Sequence, residues 1–253
     1  MIKGVDIAKY EKKLNIADIK AAGYNFAILR GGYTGYMTLK KNVDECFERF
    51  YAQAKEINFP VGCYYYSCAN TKQGGIDEAN FFYENCLKGK QFEYPIYIDV
   101  EDSHNQKGKK TGTTDAIIGF CETLKNKGYY VGVYSNPSWF KNYIESDRIT
   151  NISKWLAHWV STPNFCVERI EMWQYSDDDE IKGEDVDGDY SFVDFPSLIK
   201  YYKLNGYGNK TVDEIAKEVI AGKWGKGSER KKLLTEAGYD YNAVQKRVNE
   251  LLK

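Results

Sequence analysis

The sequence predicts an α/β fold: an irregular (β/α) barrel followed by a small three-helix bundle. Three observations predict it. Apolar, strand-like runs alternate with amphipathic helical stretches from residue 2 to about 190, the pattern of a parallel sheet or barrel. Acidic residues close several of those runs, and a (β/α) barrel assembles its site from strand ends that are distant in sequence. Beyond residue 200 the strand pattern stops and three short helix signals follow.

The strand runs are 3–7, 25–31, 60–67, 94–101, 129–135, 154–160, 170–175 and 186–190, short apolar stretches bounded by polar or turn residues. Helical periodicity occupies 15–22, 42–58, 75–88, 113–127 and 137–144, with Gly23 and Gly128 placed as terminators. After residue 150 the strands follow one another with little helix between them, which makes the barrel irregular. The Gly/Asn-rich stretch Lys203-Leu204-Asn205-Gly206-Tyr207-Gly208-Asn209-Lys210 reads as a linker. Thr211-Val212-Asp213-Glu214 has capping-box spacing and opens a helix that ends near Gly222. Ser228 and Asp240 stand where two further helices need caps, and Gly238 where the middle one ends. The expected organisation is a barrel over 1–200, a linker over 201–210 and a three-helix unit over 211–253.

Composition narrows the function. With 43% hydrophobic and 15% aromatic residues, a chain of 253 residues can bury a large core. Its 22 tyrosines offer flat apolar faces with a hydroxyl, a surface suited to sugar rings as well as to a core. A net charge of −1 argues against a nucleic-acid surface. No apolar run approaches the ~20 residues of a membrane span. Met1-Ile2-Lys3-Gly4-Val5-Asp6 enters the first strand directly, so a chain made in the cytoplasm without a signal peptide is expected. Cys46, Cys63, Cys68, Cys86, Cys121 and Cys166 are dispersed, and read as free buried thiols. His104 and His158 lack metal-ligand spacing, so neither a metal site nor a cofactor is expected.

The informative motif is Asp99-Val100-Glu101, closing the apolar run Tyr94-Pro95-Ile96-Tyr97-Ile98. Alternation along a strand points both acids the same way, with Cα atoms roughly 6–7 Å apart. Repulsion and partial desolvation raise the pKa of one of them, and a protonated carboxyl beside an ionised one is what glycosidic cleavage needs. Asp6 sits in the first run, and Asp187 and Asp189 in Val186-Asp187-Gly188-Asp189 after Ile170-Glu171-Met172-Trp173-Gln174-Tyr175. The acids over 177–185 fail the calcium-loop pattern, because Tyr190 and Pro196 stand where Gly and Glu are needed, and read as solvated.

Gly4-Val5-Asp6-Ile7, Phe26-Ala27-Ile28-Leu29-Arg30, Val61-Gly62-Cys63-Tyr64-Tyr65-Tyr66 and Ile96-Tyr97-Ile98-Asp99-Val100-Glu101 resemble, in order, the family 25 glycoside hydrolases. So do Val131-Gly132-Val133-Tyr134-Ser135-Asn136, Trp155-Leu156-Ala157, Met172-Trp173-Gln174-Tyr175 and the Val186–Asp189 motif. These are the phage and bacterial muramidases, also called Chalaropsis-type lysozymes. The resemblance covers roughly residues 1–200 and implies a flattened, TIM-like barrel. It also implies hydrolysis of the β-1,4 bond between N-acetylmuramic acid and N-acetylglucosamine in peptidoglycan. Glu101 is then the expected general acid, and Asp99 the ionised partner that stabilises the sugar cation or orients its acetamido group. Asp6 and Asp187 are expected to tune both, with Arg30, Tyr64, Tyr66, Tyr134, Trp173 and Tyr175 along the sugar.

The tail carries a second resemblance. Asp213-Glu214-Ile215-Ala216-Lys217-Glu218-Val219-Ile220-Ala221-Gly222-Lys223-Trp224-Gly225, with Arg230, Ala237-Gly238-Tyr239-Asp240-Tyr241 and Val244–Asn249, is similar to the CW-seven class of wall-binding repeat in phage lysins. Trp224, Arg230, Tyr239 and Tyr241 are its expected ligand residues, and action on the wall after phage-type release is the expected setting. Two other readings compete. A peptide-cleaving wall hydrolase needs zinc-ligand histidines or a Cys–His pair, which the two histidines do not provide. A non-catalytic sugar-binding barrel would have no need of the full carboxylate set.

Overall fold

A computed structural model describes residues 1–163, 167–208, 210–237 and 239–252, with the side chain of Glu236 also set aside. The expectations for Cys166, Asn209 and Gly238 lie outside the described residues. The strands are β1 (Ile2–Ile7), β2 (Ala27–Thr34), β3 (Lys41–Val43), β4 (Val61–Tyr66), β5 (Ile96–Asp99), β6 (Val131–Ser135), β7 (Ser153–Ala157), β8 (Ile170–Ile181) and β9 (Glu184–Ser191). Their order is β1-β9-β8-β7-β6-β5-β4-β2-β3, and β1 also pairs with β2, so eight strands close a barrel and β3 hangs on β2 as a hairpin. Neighbours from β1 through β2 and β4 to β8 run parallel. Only β9 breaks the pattern, antiparallel to both β8 and β1, because a tight turn at Lys182 and Gly183 replaces a crossover helix. That is the irregularity the helix-poor stretch after 150 predicts.

Helices α1 (Ile16–Ala21), α2 (Phe47–Glu56), α3 (Lys72–Phe82), α4 (Ser103–Gln106), α5 (Lys109–Lys125) and α6 (Pro137–Asn142) follow successive strands. Gly23 and Gly128 both adopt positive φ at helix ends, as their placement implies. Three elements have no counterpart in the sequence reading: β3, the one-turn α4, and α7 (Phe195–Tyr201). Each is seven residues or shorter, too short for a periodic signal.

Two apolar layers follow from strand alternation. Outward residues such as Val5, Leu29, Cys63, Ile98 and Val133 pack under the helices. Inward residues such as Ile28, Tyr64, Tyr97, Tyr134, Trp155 and Met172 fill the barrel. Aromatics of that size fit because glycines face them: a Cβ on Gly132 would lie 2.2 Å from the Tyr97 ring, and one on Gly4 2.4 Å from Phe26. Phe195 and Ile199 of α7 join the interior cluster.

The expected linker is shorter than 201–210. Asn205 is fully buried, accepts from Tyr130 N (2.7 Å) and donates to Tyr94 O (2.8 Å). Tyr207 donates to Glu93, and Gly206 O accepts from Gln91 (3.4 Å). Composition alone reads Gly and Asn as solvent-exposed turns, whereas here they bring the chain back onto the barrel.

Helices α8 (Val212–Ile220), α9 (Gly227–Glu236) and α10 (Tyr241–Leu251) share a separate core of Ile215, Ala216, Val219, Leu234, Val244 and Val248. Thr211 and Glu214 form the expected capping box, Gly222 ends α8 at positive φ, and Asp240 caps α10. Ser228 is not a cap: it lies inside α9, which begins from Lys226 without a side-chain cap bond.

Asn205→Ala should destabilise the barrel by about 2–4 kcal/mol, since it leaves two buried backbone groups unpaired. Urea denaturation of both proteins checks this.

Candidate active site

The site forms at the end of the barrel toward which the parallel strands run, as the fold requires. Strand register sets its members side by side. Tyr66, Asp99 and Tyr134 form a row across β4, β5 and β6. Asp6 faces Asp187 across β1 and β9, and Gln174 faces Asp189 across β8 and β9. Backbone bonds clamp the segment that carries Glu101: Ser67 N donates to Asp99 O (3.0 Å), and Val100 N to Tyr134 O (3.1 Å). Ser135 Oγ adds a bond to Val100 O (2.7 Å). The residues line a cavity of about 450 Å³ that includes Asp6, Asp99, Glu101, Asp187, Arg30, Tyr64 and Tyr66.

Carboxyl crowding dominates the electrostatics. Burial raises Asp6 well above the usual carboxylate range, and the charges of Asp187 and Asp189 push it further. Asp99 is also well raised, by burial first and then by Glu101. Glu101 keeps solvent access at the lip, yet the cleft walls desolvate it enough to raise it too, with Asp102 adding to the effect. Asp187 rises to about 7, through desolvation and then the charges of Glu11, Asp177 and Glu101. Asp189, fully buried, is raised by desolvation while a 2.7 Å bond from Trp155 Nε1 opposes the rise. Asp99 and Glu101 are thus both raised, and as close neighbours they titrate as a pair.

Gln174 ties these acids together. Its amide donates to Asp6 (2.7 Å) and Asp187 (3.2 Å), and its carbonyl accepts from Tyr134 Oη and Trp159 Nε1, both at 3.0 Å. The expectation that Trp173 and Tyr175 face the sugar is not met. On β8, Met172 and Gln174 point inward, so Trp173 and Tyr175 point outward. Trp173 donates to His158 O (2.8 Å), while Tyr175 stacks on Tyr190 and donates to Asp179. Asp179 also accepts from Tyr24 (2.7 Å) and pairs with Lys3 (3.2 Å), so this acid is not merely solvated.

Arg30 pairs with Asp44 at 2.7 Å, not with Asp6 or Asp99, and its guanidinium lies 4.9 Å from the Tyr10 ring and 5.3 Å from Tyr33. From there it lowers Asp99, a smaller effect than burial. Tyr66 presents its ring to the cavity while its hydroxyl donates to Asp102 (2.9 Å). Burial works against an ionised Asp102, but bonds from His104 and Tyr66 hold it below the usual range. The sequence reading overlooked Gln174 and Trp159, and named Asp189 without giving it a role. Alternation on β8 from an inward Met172 identifies Gln174, whereas Trp159 carries no signal except that an aromatic follows a strand end. In the tail, Trp224 donates to Glu218 (3.1 Å) and packs edge-on to Tyr239. Tyr241 packs partly on the same core, and Arg230 donates to Gly225 O and Gln245, each at 3.2 Å.

The sequence model of Glycosyl hydrolases family 25 matches residues 5–184, and that of the CW_7 repeat matches 213–252. A lysozyme of Streptococcus phage Cp-7 is 29% identical over 212 residues, covering 79% of this chain. The chain spans 58% of that relative's length. The crystal structure of the CTP1L endolysin superposes with a TM-score of 0.66 at 25% identity, covering 88% of this chain and 79% of its own. A bacterial lysozyme from Streptomyces coelicolor has the same fold, with a TM-score of 0.65 at 22% identity over 82% of this chain and 97% of its own.

A folded state that holds protons on crowded acids loses stability as pH rises through their raised pKa values. For Asp187 the window runs from the ordinary value of 3.8 to about 7. Asp187→Asn should remove that loss and raise the Tm at pH 7 by a few degrees, where about 1 kcal/mol corresponds to 2–4 °C. At pH 4 the two proteins should melt together, which thermal scans at both pH values will check.

Proposed function

The chain belongs to the glycosyl hydrolases of family 25, and on that premise we propose that it is a muramidase. It hydrolyses the β-1,4 bond from N-acetylmuramic acid to N-acetylglucosamine in bacterial peptidoglycan. The observation that carries this reading is the Asp99–Glu101 pair at the end of β5, raised by burial and by each acid's neighbours, opening into a cleft of sugar size. Glu101, at the solvent-facing lip, delivers the proton to the leaving glycosidic oxygen and then draws one from water. Asp99 lies below it and, as a carboxylate, stabilises the positive charge that grows on the sugar. It either attacks the anomeric carbon or orients the acetamido oxygen that does. Asp6, Asp187 and Gln174 hold the sugar that reacts, and Tyr64, Tyr66, Tyr134 and Trp159 supply aromatic walls.

A second unit supports wall attachment. We divide the chain into a catalytic barrel that runs through about Gly208 and a wall-binding unit over 211–253, which matches the CW_7 repeat and has its own core. Trp224, Tyr239 and Tyr241 are its proposed contacts. Arg230, engaged with Gly225 and Gln245, shapes the surface instead. Among the described residues no helix is long and apolar enough to cross a membrane. Release to the wall as in a phage lysin is our reading of the setting.

Glu101→Gln should lower wall lysis by about two to four orders of magnitude while leaving the Tm near wild type, the usual scale of general acid catalysis. Asp99→Asn should fall nearly as far, because the pair acts as a unit. Near-normal lysis by a folded Glu101→Gln protein would remove Glu101 from the acid role. Borohydride reduction of digests should label N-acetylmuramic acid, and label on N-acetylglucosamine would reverse the bond assignment.

A chain ending at Gly208 should cleave soluble wall fragments at near full rate and intact walls more slowly, through lost tethering. A chain ending at Lys203 should melt lower than one ending at Gly208, since it lacks Asn205 and Tyr207. Equal activity of full-length and Gly208-ended chains on intact walls would leave the tail without a binding role.

A further inference from the structure

Folding brings Cys68 to a pair of side chains, Asp102 and His104, that are distant from it in sequence. Cys68 follows β4, while Asp102 and His104 follow β5, and one ligand-type atom from each lies within 4.8 Å of the others. The adjacent strands β4 and β5 pair in parallel, which brings the two loops together at the mouth. From this geometry we propose that Cys68, Asp102 and His104 form a binding site for a thiophilic divalent cation of the zinc class.

The donor set is thiolate, carboxylate and imidazole, the mixture that zinc takes with water in a fourth position. Each donor is already held close to where an ion needs it. His104 Nδ1 and Asp102 Oδ1 are 2.8 Å apart, joined by a proton that an ion would replace. A tetrahedral ion with bonds of about 2.0–2.3 Å spaces its ligands by roughly 3.3–3.8 Å, so the pair need open only slightly. Asp102 has outer support from Tyr66 Oη (2.9 Å) and from His104 N (2.8 Å). Cys68 is fixed by its own backbone N–H, which donates to the buried Glu78 (3.1 Å), and its thiol lies 3.4 Å from Thr34 O. The Tyr36 ring stands edge-on to His104 at 5.0 Å. Cys68 and Asp102 are buried, and His104 keeps solvent access, which gives an ion a route in. Such outer partners orient ligands in metal sites generally.

The site has a consequence for the cleft. Asp102 holds Tyr66, whose ring lines the proposed sugar site, so an ion on Asp102 fixes one wall of the cleft and ties the β4 and β5 loops together. The glycosidase reaction does not pass through this ion. Its role is structural or modulatory, and its occupancy follows the supply of zinc outside the cell.

Cobalt(II) reports such a site because a thiolate ligand produces an intense near-ultraviolet charge-transfer band. The full-length chain, freed of metal and reductant, should bind one cobalt with that band, and zinc should displace it. Zinc should also raise the Tm in proportion to the logarithm of its concentration. Cys68→Ser should lose the band while keeping metal-free lysis, and His104→Gln should weaken affinity tenfold or more. The other described thiols, Cys46, Cys63, Cys86 and Cys121, are buried elsewhere and serve as internal controls. Absence of the band, its persistence in Cys68→Ser, or an equal zinc-induced Tm rise in Cys68→Ser and His104→Gln would each overturn the proposal.

Discussion

Carboxyl groups crowd one end of this barrel, and burial opposes ionising them together. Asp6, Asp99, Glu101, Asp187 and Asp189 are each raised by burial, and repulsion from neighbouring carboxylates, Asp102 in the case of Glu101, adds to the effect. Groups that satisfy them reach in from every side: Trp155 donates from below, and Gln174 spans Asp6 and Asp187. The guanidinium of Arg30 is held by Asp44 at 2.7 Å and so acts on Asp99 only at a distance. A direct ion pair would pull Asp99 down further. The sequestering of Arg30 is thus part of how the acids stay protonatable.

Such a cluster destabilises the fold as pH rises, so the surrounding scaffold has to be rigid. The interior supplies that rigidity with large aromatics opposed by glycines rather than with small aliphatic layers. Trp155 contacts the Tyr64, Tyr97 and Tyr134 rings at centroid distances of 6.0, 5.2 and 4.6 Å. Its indole also carries the bond to Asp189, so one side chain both fills the barrel and supports the site. Phe195 of α7 and the buried Asn205 secure the far end. Residues that composition assigns to a linker therefore belong to the support of the chemistry.

The barrel was legible because its strands are buried on both faces and write continuous apolar runs. Asp6, Asp99 and Glu101 were legible as acids at the ends of such runs, where a polar group needs a reason. Trp173 and Tyr175 misled because a residue's type says little about which face it takes: β8 turns Met172 and Gln174 inward, and a bulge follows Gln174. Cys68 and His104 were illegible for another reason. They lie 36 positions apart, and only the pairing of β4 with β5 makes them neighbours. The short β3, α4 and α7 were hidden because fewer than two turns or pleats carry no period.

The proposed division of labour between barrel and tail has a physical logic. A cleft that must hold several protonatable acids gains little from also providing strong ground-state affinity, since uniform binding does not speed the chemical step. Attachment in a separate helical unit raises local enzyme concentration without touching the acids. That unit is small: its core is six buried side chains, and charged pairs such as Arg247–Asp213 at 2.7 Å lie on its surface, where they add little. A bundle of that size is near the limit of independent folding. Its stability then rests on Leu234 and on the packing of α8 against α10.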